Sequence, residues 1–306
     1  MKNFTGTTAL YVKLCRKALF FAISVTFQVM LTCQLQAQQV TLTARQVIGR
    51  IQKNSGAPWQ TETVDVFKTG NPDTPVTGII TTMFASFDVL KQAVASGSNL
   101  IITHEPTFYN HLDDTTSLKN TGNKVFKEKK AFIDKNGLII WRFHDHIHMQ
   151  QPDGIIKGVV HTLGWEKYQD TVRQSYFIIP ETSLQDLGLS IKNNLDMRVL
   201  RVIGNPAMMV TKVALAPGAP GSDMQIEALE RDDVEVLLIG ESREWETIEY
   251  ARDAVAQGRH KALIILGHVP SEESGMEECA RWIKTFVSEV PVDYIANGEP
   301  YWVVQP

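Results

Sequence analysis

The sequence predicts an α/β protein with mixed sheets covered by helices, and three observations carry that expectation. Apolar runs of strand length alternate with amphipathic helical segments through most of the chain. Several strand runs, such as "NLIITH", "LIIWRFH" and "KALIILGH", are continuously apolar, as strands buried on both faces require. The 306 residues are 43% hydrophobic and 21% charged, the balance of a globular chain long enough for one large domain or two ordinary ones.

The elements follow in order. "TARQVIGRIQKN" (43–54) reads as a helix, with Thr43 as its cap and an apolar stripe behind it. "VTGIITTMF" (76–84) is β-rich, and "SFDVLKQAVASG" (86–97) is a helix with a Ser cap and a closing Gly. "NLIITH" (99–104) is a strand, 123–137 a helix ending on Gly137, "LIIWRFH" (138–144) a strand, and 153–165 a helix. "SYFIIP", "SLQDLGLSIKNNL", "RVLRVIG" and "MVTKVALAPG" continue the pattern. After them come helix 223–232, strand 234–240, helix 244–258, strand 261–268, helix 274–289 and strand 292–298. The alternation shows no repeat of 20 to 50 residues. Polar "GWEKYQDTV" (164–172) is the expected joint, with a second passage near 258–262. That divides the body into a metal-site domain of residues 38–165 plus 260–306 and a second α/β domain of 166–259.

The first 37 residues stand apart. They hold Lys2, Lys13, Arg16 and Lys17, no acidic residue, and then the apolar run "ALFFAISVTFQVML". A basic start, a short apolar stretch and Ala37 at a cleavage position read as a secretory signal peptide, so export is expected, to a periplasm or beyond. A lipoprotein form acylated at Cys33 is the weaker variant, because "MLTC" lacks a small residue before the cysteine. Without the leader, 26 basic residues face 34 acidic ones, a net charge of −8. So acidic a surface argues against nucleic acid or an anionic membrane as partner, and no membrane span is expected in the mature chain. Cys279 is the one cysteine beyond the leader, which excludes an intramolecular disulfide and a thiolate metal site.

The histidines carry the chemistry. Three of the eight fall within "HDHIH", residues 144–148. His104, His144 and His268 each end an apolar strand, and ligands of α/β sheets collect at the carboxyl ends of strands. Each has a partner close in sequence: Glu105 beside His104, His148 four residues after His144, and Glu272 four residues after His268. An i, i+4 pair on a helical turn shares one face. Four imidazoles and two carboxylates suit Zn, Fe or Mn, whereas calcium prefers oxygen alone and structural zinc prefers thiolate. Six donors exceed one tetrahedral site and fit two divalent ions sharing a carboxylate or a solvent oxygen. Such a pair acidifies water and polarises a substrate oxygen, which suits hydrolysis of a phosphoester, amide or cyclic amidine.

Each residue also has a plainer reading. A histidine at a strand end is most often a polar edge residue, and Glu105 or Glu272 could simply favour a helix start. Three such coincidences at matching strand ends favour the metal reading. His146, between two proposed ligands, is the candidate for a supporting or general-acid role. His111 reads as solvated or pocket-lining, His161 as a packing histidine and His260 as a turn residue. "APGAPGSD" reads as a turn-rich loop or an anion cradle at a helix start, without a P-loop's Lys-Ser/Thr.

The stretches 78–109, 138–148, 213–223, 234–258 and 262–283 together resemble the NGG-interacting-factor-three-like family of dinuclear metal-centre proteins. Many members of that family carry the label of a second-type homologue of GTP cyclohydrolase I. By position, His104 matches the first histidine of the family's His-His-Pro motif, and Glu105 stands where the second would be. His144 matches the His of the second motif, and His148 stands where its Asp would be. His268 and Glu272 match the Gly-His…Glu motif directly. The resemblance implies that His104, Glu105, His144, His148, His268 and Glu272 hold two divalent metal ions. It also implies two interlocked α/β domains and a homo-oligomer, a ring-shaped hexamer. The two exchanges compensate, since four nitrogen donors and two carboxylates remain. The family's Asn- and Asp-bearing helix motif is altered at "DGIIKGVV", so substrate contacts are expected to differ.

The expected function is metal-dependent hydrolysis of a small polar substrate, and the rival is a non-catalytic metal-binding or regulatory assembly protein. A metallo-β-lactamase-like site would need more histidines between His161 and His260, and an amidohydrolase barrel would carry His-x-His near its start.

Overall fold

Short runs of Ile, Leu, Val and Thr form the centre of two mixed sheets in the computed structural model, which describes residues 41–304. The signal-peptide reading of residues 1–37, with Cys33, lies outside that range. The first sheet contains β1 (Phe67–Thr69), β2 (Ile79–Thr82), β3 (Leu100–Thr103), β4 (Ile139–Arg142) and β10 (Val292–Tyr294), in the order β1-β4-β3-β2-β10. Only β1 runs antiparallel to its neighbour. The second contains β5 (Tyr176–Ser183), β6 (Arg201–Ile203), β7 (Met209–Ala216), β8 (Val236–Ile239) and β9 (Ala262–Ile265), in the order β5-β7-β8-β9-β6. Its three central strands are parallel and both edges antiparallel. The sequence boundary at 259–260 falls before β9, which nonetheless pairs in the second sheet.

Helices cover both faces of each sheet because successive strand residues point to opposite sides. Ile79, Leu100, Ile102, Ile139 and Trp141 pack with α1 (Ala44–Asn54) and α10 (His268–Ile283). Ile80, Ile101 and Ile140 pack on the other side, against α2 (Phe87–Ala95) and α4 (Lys124–Lys135). The short α3 (Thr116–Asn120) precedes α4. In the second sheet, Val213, Leu215, Val236, Leu238 and Ile264 meet α6 (Gly154–Leu163) and α7 (Leu184–Asn194). Ala214, Leu237, Ile239, Leu263 and Ile265 share a cluster with α8 (Ser222–Glu230) and α9 (Glu249–Ala256).

Helix α6 links the two cores. Ile155 belongs to the first-sheet cluster, and Val159, Val160 and Leu163 belong to the second-sheet cluster. It lies backbone to backbone on α10. A Cβ on Gly158 would sit 2.3 Å from Ser274 O, and one on Gly275 would sit 2.5 Å from the Cα of Ile155. Larger residues at either position would force the helices apart. Among the described residues, no helix is long and apolar enough to cross a membrane.

Helix α10 starts at His268 and ends at Ile283, not at 274 and 289 as the sequence pattern suggests. Pro270 falls in its first turn, where the missing N–H has no intrahelical partner to lose. His161 is exposed and pairs with Glu166 at 2.9 Å, which corrects its reading as a packing residue.

Candidate metal centre

Parallel register places the strand ends level. Thr82, Thr103 and Arg142 are paired across β2, β3 and β4, so His104 and the segment following Arg142 emerge at the same edge. The short helix α5 (Asp145–His148) begins immediately after His144. Its start is anchored from far away in sequence by the buried Asp65. One carboxylate oxygen accepts from the N–H groups of His144 (2.6 Å) and Asp145 (3.0 Å), the other from His146 N (2.9 Å).

All six expected donors are brought together. His104, Glu105 and Glu272 are buried, and His144, His148 and His268 are half-buried. Glu272 Oε2 lies 3.6 Å from His104 Nε2 and 3.2 Å from His268 Nε2, and Oε1 lies 3.9 Å from His148 Nε2. Glu105 Oε1 lies 3.2 Å from His268 Nε2 and 3.7 Å from His144 Nε2. Bonds of about 2.1 Å to a tetrahedral ion put its donors roughly 3.4 Å apart, which these separations straddle. The ligand atoms of His104, His144 and His148 lie within 4.8 Å of one another, as do those of His104, Glu105 and Glu272.

Each imidazole is oriented through its other nitrogen. The Nδ1 groups of His144, His148 and His268 face Asp145 Oδ1 (2.9 Å), Asp153 Oδ2 (3.0 Å) and Glu241 Oε1 (3.0 Å). His104 Nδ1 faces Phe143 O at 3.1 Å. Acceptors on all four Nδ1 groups select the tautomer that presents Nε2 to the cluster, the arrangement found behind metal-ligating histidines. Asp153 serves twice, since its Oδ1 caps α6 by accepting from Ile155 N and Ile156 N. The histidine–carboxylate chemistry passes a stricter test too. His104 Nε2 and Glu272 Oε2 are buried and make no hydrogen bond, a costly condition that a shared cation would relieve.

Electrostatics agree with a cation-receptive pocket. Burial and the neighbouring His104 push the His144 imidazole down to about 4, so it is a neutral donor at pH 7. Burial opposes charge on His268, yet its hydrogen bond to Glu105 and the charge of the adjacent Glu272 carboxylate outweigh it and raise its pKa to about 11. For Glu105, burial is likewise outweighed by His268, His104 and His144, and its pKa falls to about 2. Glu272 falls well below the carboxylate range for the same reason, with His104 and His268 overcoming burial. His268 is thus the counter-cation of two carboxylates, and a metal held at this cluster would have to displace its proton.

His146 is not aimed at the cluster. Its Nδ1 is 2.7 Å from Asp65 Oδ2, its Nε2 accepts from Gln60 N at 2.8 Å, and its ring stacks on Trp59 at 3.6 Å. It is fully buried, with neither nitrogen free for proton transfer, which corrects its reading as a general acid. His111 stands edge-on to His144, 5.9 Å between ring centres. His260 is exposed and hydrogen-bonds Met209 O.

The "APGAPGSD" loop serves Glu272. Gly218 adopts φ +62°, and a Cβ there would lie 2.3 Å from Glu272 Oε1. Its N–H donates to Ser271 Oγ at 2.9 Å, which ties the loop to the first turn of α10. Sequence reasoning found neither this contact nor Asp65, Asp153, Glu241 and Arg142. A cavity of about 1150 Å³ opens beside Glu105 and His268, with Phe84, Tyr109, His111, Lys129, Arg201 and Trp302 among its walls.

Two mixed sheets with a histidine–carboxylate cluster at their strand ends define an α/β protein with a candidate metal centre. A profile of Duf34/NIF3 (NGG1p interacting factor 3) matches residues 50–298, and the chain belongs to that family. A "GTP cyclohydrolase 1 type 2 homolog" of Clostridium acetobutylicum is 23% identical over 184 residues. The match covers 56% of this chain and 66% of that relative, just under two thirds of its length. The crystal structure of a Bacillus cereus protein related to NIF3 gives a TM-score of 0.68 at 13% identity, covering 86% of this chain and 100% of that one. That of Staphylococcus aureus protein SA1388 gives 0.66 at 16% identity, covering 86% and 99%. At such identities the two structures show a shared fold.

Proposed function

We propose that this chain is a metal-dependent hydrolase-like protein with a dinuclear centre, acting on a small polar substrate such as a phosphoester, amide or cyclic amidine. The observation that carries the reading is the convergence of four Nε2 atoms and two carboxylates, with every Nδ1 already held by an acceptor. His104, Glu105, His144, His148, His268 and Glu272 would hold two divalent ions, Zn, Fe or Mn. When bound, such a pair supplies Lewis acidity and acidifies water.

The remaining roles belong to the chain itself. Asp145, Asp153 and Glu241 keep three imidazoles in the donor tautomer and raise their basicity. The cavity beside Glu105 has the capacity of a small-molecule site, and its mixed aromatic and cationic wall suits a polar substrate. Export after cleavage near Ala37 and assembly as a homo-oligomer, a hexamer by family resemblance, belong to the same reading. N-terminal sequencing of the purified protein and light scattering check those two points.

The test is turnover. Metal-loaded protein is screened against phosphoesters, nucleotides, amides and cyclic amidines, beside His144→Ala. Hydrolysis that disappears in the variant supports the reading. Stoichiometric metal with no turnover on any class favours the metal-binding or regulatory assembly protein instead.

A further inference from the structure

Arg142 is the last residue of β4 and is fully buried, an expensive place for a guanidinium. Its three side-chain hydrogen bonds all go to the 104–111 segment, which carries the first two candidate ligands. Nε donates to His104 O at 3.0 Å, Nη1 donates to His111 O, and Nη2 donates to Glu105 Oε2 at 3.3 Å. Among the described residues, Glu105 is the one carboxylate within ion-pair distance of it. Glu105 Oε1 faces the other way, towards His268 and His144. The two oxygens of one carboxylate are therefore committed to different tasks. By the resemblance, Glu105 is also one of the two positions where this chain departs from the family's metal motifs.

We propose that Arg142 is the positioning residue of the centre: its guanidinium holds Glu105 Oε2 and leaves Oε1 as that carboxylate's single donor to a metal. The inference rests on the metal-centre reading and extends it to a residue outside the ligand set. A free glutamate can chelate one ion or bridge two, and so can compete with Glu272 for the shared position. Pinning one oxygen removes that choice. It makes Glu105 behave as the imidazole it replaces would, with one donor atom in one direction. Arginine suits the task because its planar fork reaches the carboxylate and two backbone carbonyls from three separate nitrogens, whereas the donors of lysine all radiate from one. Glu105 and Arg142 form one unit, since the anion offsets the buried cation and the cation orients the anion.

The experiment is a double-substitution cycle read by cobalt(II) titration. Stoichiometry, affinity and visible absorption are recorded for the wild type, Arg142→Met, Glu105→His and the pair together. Arg142→Met alone is expected to weaken one of the two sites by roughly 10–100-fold, the usual scale for residues that orient a ligand, and to alter its absorption bands. Glu105→His alone leaves an unpaired guanidinium beside the cations and should weaken binding further. Adding Arg142→Met to Glu105→His should then restore affinity at least about tenfold, because the unpaired charge is gone. A residue that merely braced the fold would lower affinity in both backgrounds. Loss or no change on adding Arg142→Met to Glu105→His therefore overturns the inference. Arg142→Lys covers the event that the methionine variant fails to fold, with thermal melting of the metal-free protein as the check. Its charge is retained and its fork lost, so weakened binding in a folded protein supports positioning, and wild-type binding refutes it. If the wild type takes up no cobalt, the metal-centre reading falls and this inference falls with it. If it takes up cobalt and the cycle shows no restoration, only this inference falls.

Discussion

Gly218→Ala isolates the contact between the second sheet's loop and Glu272. The new Cβ would stand 2.3 Å from Oε1 and 2.9 Å from Cδ of Glu272, where ordinary contact begins near 3.4 Å. The carboxylate, or the loop, must move by about 1 Å, a displacement large enough to spoil a preorganised site. Two costs add. A non-glycine residue at φ +62° is strained by about 1–2 kcal/mol, and the overpacked contact adds about 1–3 kcal/mol. Gly137→Ala is a matched control, because Gly137 has φ +61° and a Cβ there would meet nothing within 4 Å. Urea denaturation of metal-free protein should show Gly218→Ala less stable than Gly137→Ala by about 1–3 kcal/mol. Calorimetric zinc titration should show affinity lowered roughly 10–100-fold in Gly218→Ala and unchanged in Gly137→Ala. Equal affinity in the two variants would refute the claim that Glu272 binds metal from the position its glycine neighbour allows.

Other perturbations have equally definite outcomes. Asp65→Ala strips the acceptor from three backbone N–H groups and the His146 imidazole, so denaturation should show a loss of about 3 kcal/mol or more. Chelation of the metal-loaded protein should lower its stability by about 2.7 kcal/mol for each ion previously present at a hundred times its Kd, measured by thermal melting. Lys129 is held inside, donating to Thr107 O at 2.6 Å, and burial lowers its pKa to about 8. The folded state then binds fewer protons than the unfolded state between about pH 8 and the ordinary lysine value of 10.5, so stability relative to Lys129→Met should rise with pH across that window and be flat below it. Cys279 is buried and its thiol pKa is pushed up by burial, so a thiol reagent should label it only after denaturant is added.

Much of this molecule was legible because its central strands are short, apolar and terminated by polar residues. Isoleucine-rich runs in β3, β4 and β9 are buried throughout, with His104 directly after β3 and His144 two residues after the end of β4. Glu105, His148 and Glu272 were legible through spacing, since i+1 and i+4 neighbours have nowhere else to go on a tight turn or a first helical turn. What escaped was held by distant partners. Asp65 acts 79 residues away from His144, Arg142 acts 37 residues away from Glu105, and Gly218 touches Glu272 across a loop with no local periodicity. His146 shows the limit of proximity in sequence. Two positions round a helical turn from His144, it points to Asp65 and Trp59, away from the cluster.

The central claim is that six side chains from three strand ends hold two metal ions. Elemental analysis of protein lacking residues 1–37, purified without added metal or a histidine tag, tests it most directly beside a His144→Ala/His148→Ala variant. The account predicts close to two metals per chain, mostly lost in the variant. No stoichiometric metal in the parent protein, even after Zn, Mn and Fe are offered in turn, would contradict it.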